Sequence, residues 1–112
     1  MTTTPMAEKP SNLERRHSQR RKFSAKIEIE WGAAILAGTV RDIGPRGLFI
    51  ELMPPLWMGA TFLARLGVEP VLPLNCTVSR VEPGMGMGVT FSPLDESGKA
   101  QFEALLATLP LP

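Results

Sequence analysis

The sequence predicts a mainly β domain: about six antiparallel strands curled into a small barrel, with one α-helix at the C-terminal end. Three observations carry that reading. Eleven prolines and ten glycines in 112 residues cut the chain into short segments, which suit strands and tight turns better than a helix bundle. Several of those segments alternate apolar and polar residues with the period of two that a half-buried strand requires. Only one segment, near the C-terminus, carries the 3.6-residue period of an amphipathic helix. Antiparallel strands in this order leave exposed edges unless the sheet closes on itself, so a barrel is expected rather than an open sheet.

The elements follow in order. Residues 1–12 (MTTTPMAEKPSN) hold too little apolar surface to offset the entropy of ordering, and a disordered tail is expected there. The domain proper is expected over residues 13–109, as an arm (13–22), a barrel (about 23–91) and a helix (about 95–108). In the arm the charges thicken. Lys26-Ile27-Glu28-Ile29-Glu30-Trp31 then alternates charged and apolar residues as a first strand, which Gly32 breaks. A second strand runs from about Ile35 to Ile43 and ends at Gly44-Pro45-Arg46-Gly47, where proline in second place and glycine in fourth suit a tight turn. Leu48, Ile50 and Leu52 alternate with Phe49, Glu51 and Met53 in a third strand with apolar residues on both faces, ended by Pro54-Pro55. Thr61–Leu66 and Val71–Val81 read as strands, and Val89-Thr90-Phe91 as a final short one behind the glycine run 84–88. Phe102, Leu105, Leu106 and Leu109 fall at i, i+3, i+4 and i+7, a helical stripe that Asp95 or Ser92 would cap and Pro110 would stop.

Composition narrows the function classes. With 44 % apolar and 21 % charged residues the chain reads as a single globular domain. Its longest apolar run, Ala33–Gly38, falls far short of the roughly 20 residues that span a bilayer, and no signal sequence opens it; a cytoplasmic protein without membrane insertion is expected. One cysteine and one histidine leave too few ligands for a His/Cys zinc site, and no metal is expected. No catalytic triad is legible. His17 lies among arginines with nothing to hold it as a base, and Cys76 reads as a small barrel residue, so an enzyme is not expected. Gly84-x-Gly86-x-Gly88 runs into a strand rather than a helix, which excludes a helix-backed phosphate loop. The near-zero net charge hides an asymmetry: residues 1–26 carry seven basic residues against two carboxylates, residues 27–112 five against nine. A basic arm on a mildly acidic body suits an anionic partner.

Two short motifs remain, Arg16-x-x-x-Arg20 in the arm and Asp42-Ile43-Gly44-Pro45-Arg46-Gly47 at a strand end. Together they resemble the paired motifs of the PilZ family, small bacterial barrel receptors for the second messenger cyclic di-GMP. That family carries R-x-x-x-R in an N-terminal arm and D/N-x-S-x-x-G on a strand end, then G-x-G-V-x-F and a C-terminal helix. Gly86-Met87-Gly88-Val89-Thr90-Phe91 and the Phe102 stripe match in kind and order. The resemblance implies a PilZ-like six-stranded (split) barrel and a cyclic di-GMP site comprising Arg15, Arg16, Arg20, Asp42, Gly44 and Gly47, with no cofactor besides that ligand. Arg15, directly before the first motif arginine, implies in this family a stacked pair of ligand molecules.

The residue chemistry agrees with that ligand. An arginine fork binds phosphate oxygens bidentately, pairs with guanine O6 and N7, or stacks on the base. A carboxylate takes the guanine N–H donors that arginine cannot. The family's serine is replaced by Gly44, which removes one hydroxyl; a net hydrogen bond of about 0.5–1.5 kcal/mol predicts affinity lowered by about two- to tenfold. The function expected is therefore a single-domain receptor that relays cyclic di-GMP to an unidentified effector protein through a ligand-ordered arm. The alternative is a degenerate PilZ-like adaptor that acts by protein contact without the nucleotide. DNA or RNA binding is not expected, because near the arm only Phe23 and Trp31 offer aromatic faces for stacking.

Overall fold

The computed structural model describes residues 20–110. Six strands follow one another, β1 (Arg21–Trp31), β2 (Ala34–Ile43), β3 (Gly47–Glu51), β4 (Thr61–Leu66), β5 (Leu72–Glu82) and β6 (Gly86–Phe91), and then one helix, α1 (Glu96–Thr108). Every pairing is antiparallel, and the strands close into a barrel in the order β1-β2-β3-β6-β5-β4. Closure comes from β4 returning to β1, with Ile27 opposite Leu66 and Glu30 opposite Leu63, so neither strand is left with a bare edge.

Alternation along the strands decides what fills the barrel. On β1 Ile27 and Ile29 point inward while Lys26 and Glu28 face out; on β5 Leu72, Leu74, Cys76 and Val78 point inward. These side chains meet Val40, Ile43, Leu48 and Ile50 in one continuous apolar core, in which the described residues bury no polar or charged side chain. Cys76 sits in this core as a small apolar residue, its thiol pushed up to about 12 by burial.

α1 covers one end. Asp95 is its cap, accepting from the Gly98 N–H at 2.7 Å; Ser92 instead donates its backbone N–H to the Asn75 carbonyl. Phe102, the buried residue of the helix, meets Phe91 edge-on with ring centroids 5.0 Å apart, and Leu105, Leu106 and Leu109 pack around the same core. At the other end the β1–β2 tip and the β3–β4 loop meet through an edge-on contact of Trp31 with Trp57, centroids 4.9 Å apart. No helix among the described residues is long and apolar enough to cross a membrane.

Two strands are longer than their sequence pattern predicts. β1 begins at Arg21 rather than at Lys26, because Arg21 and Lys22 pair with Ile43 and Asp42 of β2. The last two residues of the expected arm are thus already strand. β6 begins at Gly86 rather than at Val89, since Gly86 and Met87 continue the ladder with β5, Gly86 opposite Glu82 and Met87 opposite Val81. Gly86 has φ of +152°, and a Cβ there would collide with the Ile50 carbonyl oxygen; only glycine lets β6 approach β3 so closely.

Candidate functional site

The candidate site lies where the strands break register. Val40 pairs with Ile50 and Asp42 with Phe49, which leaves Arg41 as an extra residue on β2. Facing it, Phe23 and Ser24 of β1 stand between the pairs Lys22–Asp42 and Ala25–Val40. A bulge turns side chains that strict alternation would send to opposite faces. Val40 and Ile43 both stay in the core, so Arg41 and Asp42 lie together outside it. Lys22, Phe23, Ser24, Arg41 and Asp42 line an open groove of about 560 Å³.

Asp42 is held from two sides. The Arg20 Nε donates to Oδ1 at 3.0 Å, and the Arg20 Nη2 forms a second, shorter bond to the same oxygen. The Arg41 Nε donates to Oδ2 at 3.2 Å. All three side chains keep part of their surface in solvent, so these pairs are exchangeable surface interactions rather than a locked core network. The arrangement presents two guanidinium forks around one carboxylate. An incoming group with its own N–H donors can take the carboxylate, and an anion or a base edge can take the freed forks.

Behind the groove lies a platform that the sequence did not announce. Phe49 points away from the barrel core and is nevertheless fully buried. The guanidinium carbon of Arg41 lies 3.9 Å from the centre of its ring, and that of Arg80 at 5.7 Å. Gly88, opposite Phe49 on β6, leaves the space in which the Arg80 stem lies; a Cβ there would come within 3.1 Å of the Arg80 Cγ. A third break of register, at Ser79 between the pairs Val78–Val89 and Arg80–Gly88, turns Arg80 outward, where it also pairs with Glu82 at 3.1 Å. Arg41, Arg80 and Phe49 are thus site-lining residues that sequence reasoning missed. One signal for Arg41 was available: Val40 and Ile43 are apolar three positions apart, a break in the period of two that marks a bulge.

The expected site residues fare differently. Arg20 and Asp42, 22 positions apart, meet directly. Gly44 is buried beneath Arg20: a Cβ at position 44 would find the Arg20 Cγ at 3.5 Å and Nη1 at 3.6 Å, ordinary contacts, and its φ is not positive. Glycine is therefore not demanded there by backbone strain. Gly47 packs toward β6, where a Cβ would collide with the Val89 carbonyl oxygen, so its close approach is to the barrel's own backbone. Arg15 and Arg16 lie outside the described residues.

Among curated proteins the sequence finds no match. A family model described as the PilZ domain matches residues 14–108, which takes in the root of the arm, all six strands and α1. With the match covering most of the chain, the protein belongs to the PilZ domain family.

Proposed function

We propose that this chain is a cyclic di-GMP receptor that holds the nucleotide at the β1–β2 groove and passes the signal to a partner protein. PilZ domains are, as a family, receptors for cyclic di-GMP. The observation that carries the reading for this chain is the Arg20–Asp42–Arg41 triplet. Asp42 is the acceptor for guanine N–H donors, and Arg20 and Arg41, released from it, are the donors for phosphate oxygens or the guanine O6/N7 edge. In this proposal Arg16 and Arg15 come over the groove from the arm, Arg16 to the same ligand molecule and Arg15 to a second one stacked on it. The adaptor alternative rests on Gly44, and the room around that residue argues that only a hydroxyl is lost, not the site.

Calorimetric titration of cyclic di-GMP into the wild-type chain and into Arg20→Ala tests the proposal. Saturable binding by the wild type and none measurable by the variant is expected, with near-ultraviolet circular dichroism from Trp31 and Trp57 unchanged. Wild-type affinity in Arg20→Ala would remove the proposed site. No binding by the wild type, with a folded spectrum, would favour the adaptor.

A further inference from the structure

Arg20 and Arg21 are neighbours at the root of the arm, and consecutive residues of an extended chain point to opposite sides. Arg20 turns to Asp42. Arg21 turns to the C-terminal helix, where its Nη1 donates to the Leu106 carbonyl oxygen at 2.7 Å and to that of Leu109 at 3.4 Å. The Leu106 carbonyl also accepts the capping Leu109 N–H at 3.1 Å, and both carbonyls lie at the negative end of the helix dipole. α1 has no basic residue in its own last turn, so the cation at its C-terminus comes from β1, 85 positions earlier in the chain. The Arg21 Nε is itself buried with no acceptor among the described residues, while Nη1 is held by the helix carbonyls.

Resting on the nucleotide reading above, we infer that Arg21 is a positioning residue whose clamp on α1 couples docking of that helix to nucleotide binding. The clamp fixes the root of the arm, and the root presents Arg20 to the groove. With the two arginines one peptide bond apart, the Arg21 clamp fixes the backbone from which the Arg20 side chain swings between Asp42 and a ligand. A docked α1 therefore pre-organises Arg20, and binding at Arg20 in turn holds α1 down. Such coupling is reciprocal by thermodynamic necessity: an interaction that pulls α1 off the barrel lowers nucleotide affinity by the same factor by which the nucleotide opposes it. α1 becomes the output element of the domain, read by whatever contacts the barrel end that it covers.

The test combines amide exchange over residues 104–109 with calorimetric titration of cyclic di-GMP, on the full chain of wild type, Arg21→Ala and Arg21→Lys. Without nucleotide, Arg21→Ala should exchange faster in the last turn of α1 than wild type. It should bind cyclic di-GMP about five- to tenfold more weakly, at the low end of coupling between linked sites. Lysine keeps a charge and a donor but not the fork, and should recover part of both effects. Nucleotide should slow exchange over 104–109 in wild type and leave it unchanged in Arg21→Ala. Exchange unaltered by Arg21→Ala would overturn the clamp. Faster exchange with wild-type affinity would reduce Arg21 to a purely structural role, and weaker binding with unaltered exchange would make it a direct ligand contact; either overturns the coupling. A wild-type chain that binds no nucleotide overturns the receptor reading and the coupling with it, while the exchange comparison without nucleotide still decides whether Arg21 holds α1.

Discussion

Asp42 shows how much one side chain's surroundings settle at the scale of a residue. Its two oxygens are divided between Arg20 and Arg41, so any ligand that uses it must replace charge-assisted bonds with others of equal worth. Gly44 stands directly under one of those arginines. A serine there fits without strain and places a hydroxyl beside the Arg20 guanidinium, so Gly44→Ser is expected to tighten cyclic di-GMP binding by about two- to tenfold with no loss of thermal stability. Calorimetry and a melting curve check this; unchanged or weaker affinity would deny position 44 a ligand contact. Cys76 gives a second prediction, in pH. Burial pushes its thiol up to about 12 from an ordinary 9.0, so above pH 9 the unfolded chain binds fewer protons than the folded one. Stability then falls as pH rises from 9 toward 12, by about 1.4 kcal/mol at pH 10 from this group. The cavity left by Cys76→Ala costs the same at every pH, so the gap between the melting temperatures of wild type and Cys76→Ala should narrow between pH 7 and pH 10. A constant gap would mean that the thiol is not held protonated by its burial.

The bulges are the functional device at the scale of the element. Regular ladders would have sent Arg41 and Asp42 to opposite faces of β2; the extra residue keeps both outside, and the bulge at Ser79 brings Arg80 to the same surface. The turn between β2 and β3 is fixed by a different means. The Gly44 N–H donates to the Gly47 carbonyl at 2.8 Å, and Gly47 lies against β6 with no room for a Cβ. Gly47→Ala should therefore cost about 2 kcal/mol or more of stability, through a forced shift of β3 or β6. Denaturant unfolding measures the loss. If Gly47→Ala unfolds like wild type while losing nucleotide affinity, the glycine serves the ligand and not the barrel.

The scale of the whole molecule is set by the closed barrel and by the arm that enters it. β1 is paired on both sides, with β2 and with β4, and the root of the arm is continuous with it. In the proposed mechanism the segment from Arg15 to Gln19 closes over the groove from a root that Arg20 and Arg21 already fix, and the ligand's phosphates replace repulsion among neighbouring arginines. Ordering about five residues costs on the order of 5–10 kcal/mol of backbone entropy, so several charge-assisted contacts must form together. Two outcomes are expected. Amide protection over residues 13–19 rises on addition of cyclic di-GMP, and affinity falls as salt is raised, because the contacts are ionic and partly exposed. Equal protection with and without nucleotide would locate the switch outside the arm.

The sequence by itself determined the architecture. Its period-two segments, broken by Gly and Pro, specified six strands, and one helical stripe specified α1, because patterning of apolar residues dictates which face of each element is buried. Thr61–Leu66 is β4 to the residue for this reason: a short alternating segment between breakers has only one way to lie on a core. The Arg20 and Asp42 members of the candidate site were legible through motif chemistry. What only the tertiary structure decided was where local pattern and long-range pairing part. Arg21 and Lys22 carry no apolar alternation, yet they are strand, since β2 offers them a ladder. Arg41, Phe49 and Arg80 come from three different strands and converge through bulges, which a one-dimensional pattern registers only as a broken period. The clamp of Arg21 on Leu106 joins residues 85 positions apart that share no pattern at all. Contacts of that kind are fixed by barrel closure, a property of all six strands together and of no segment alone.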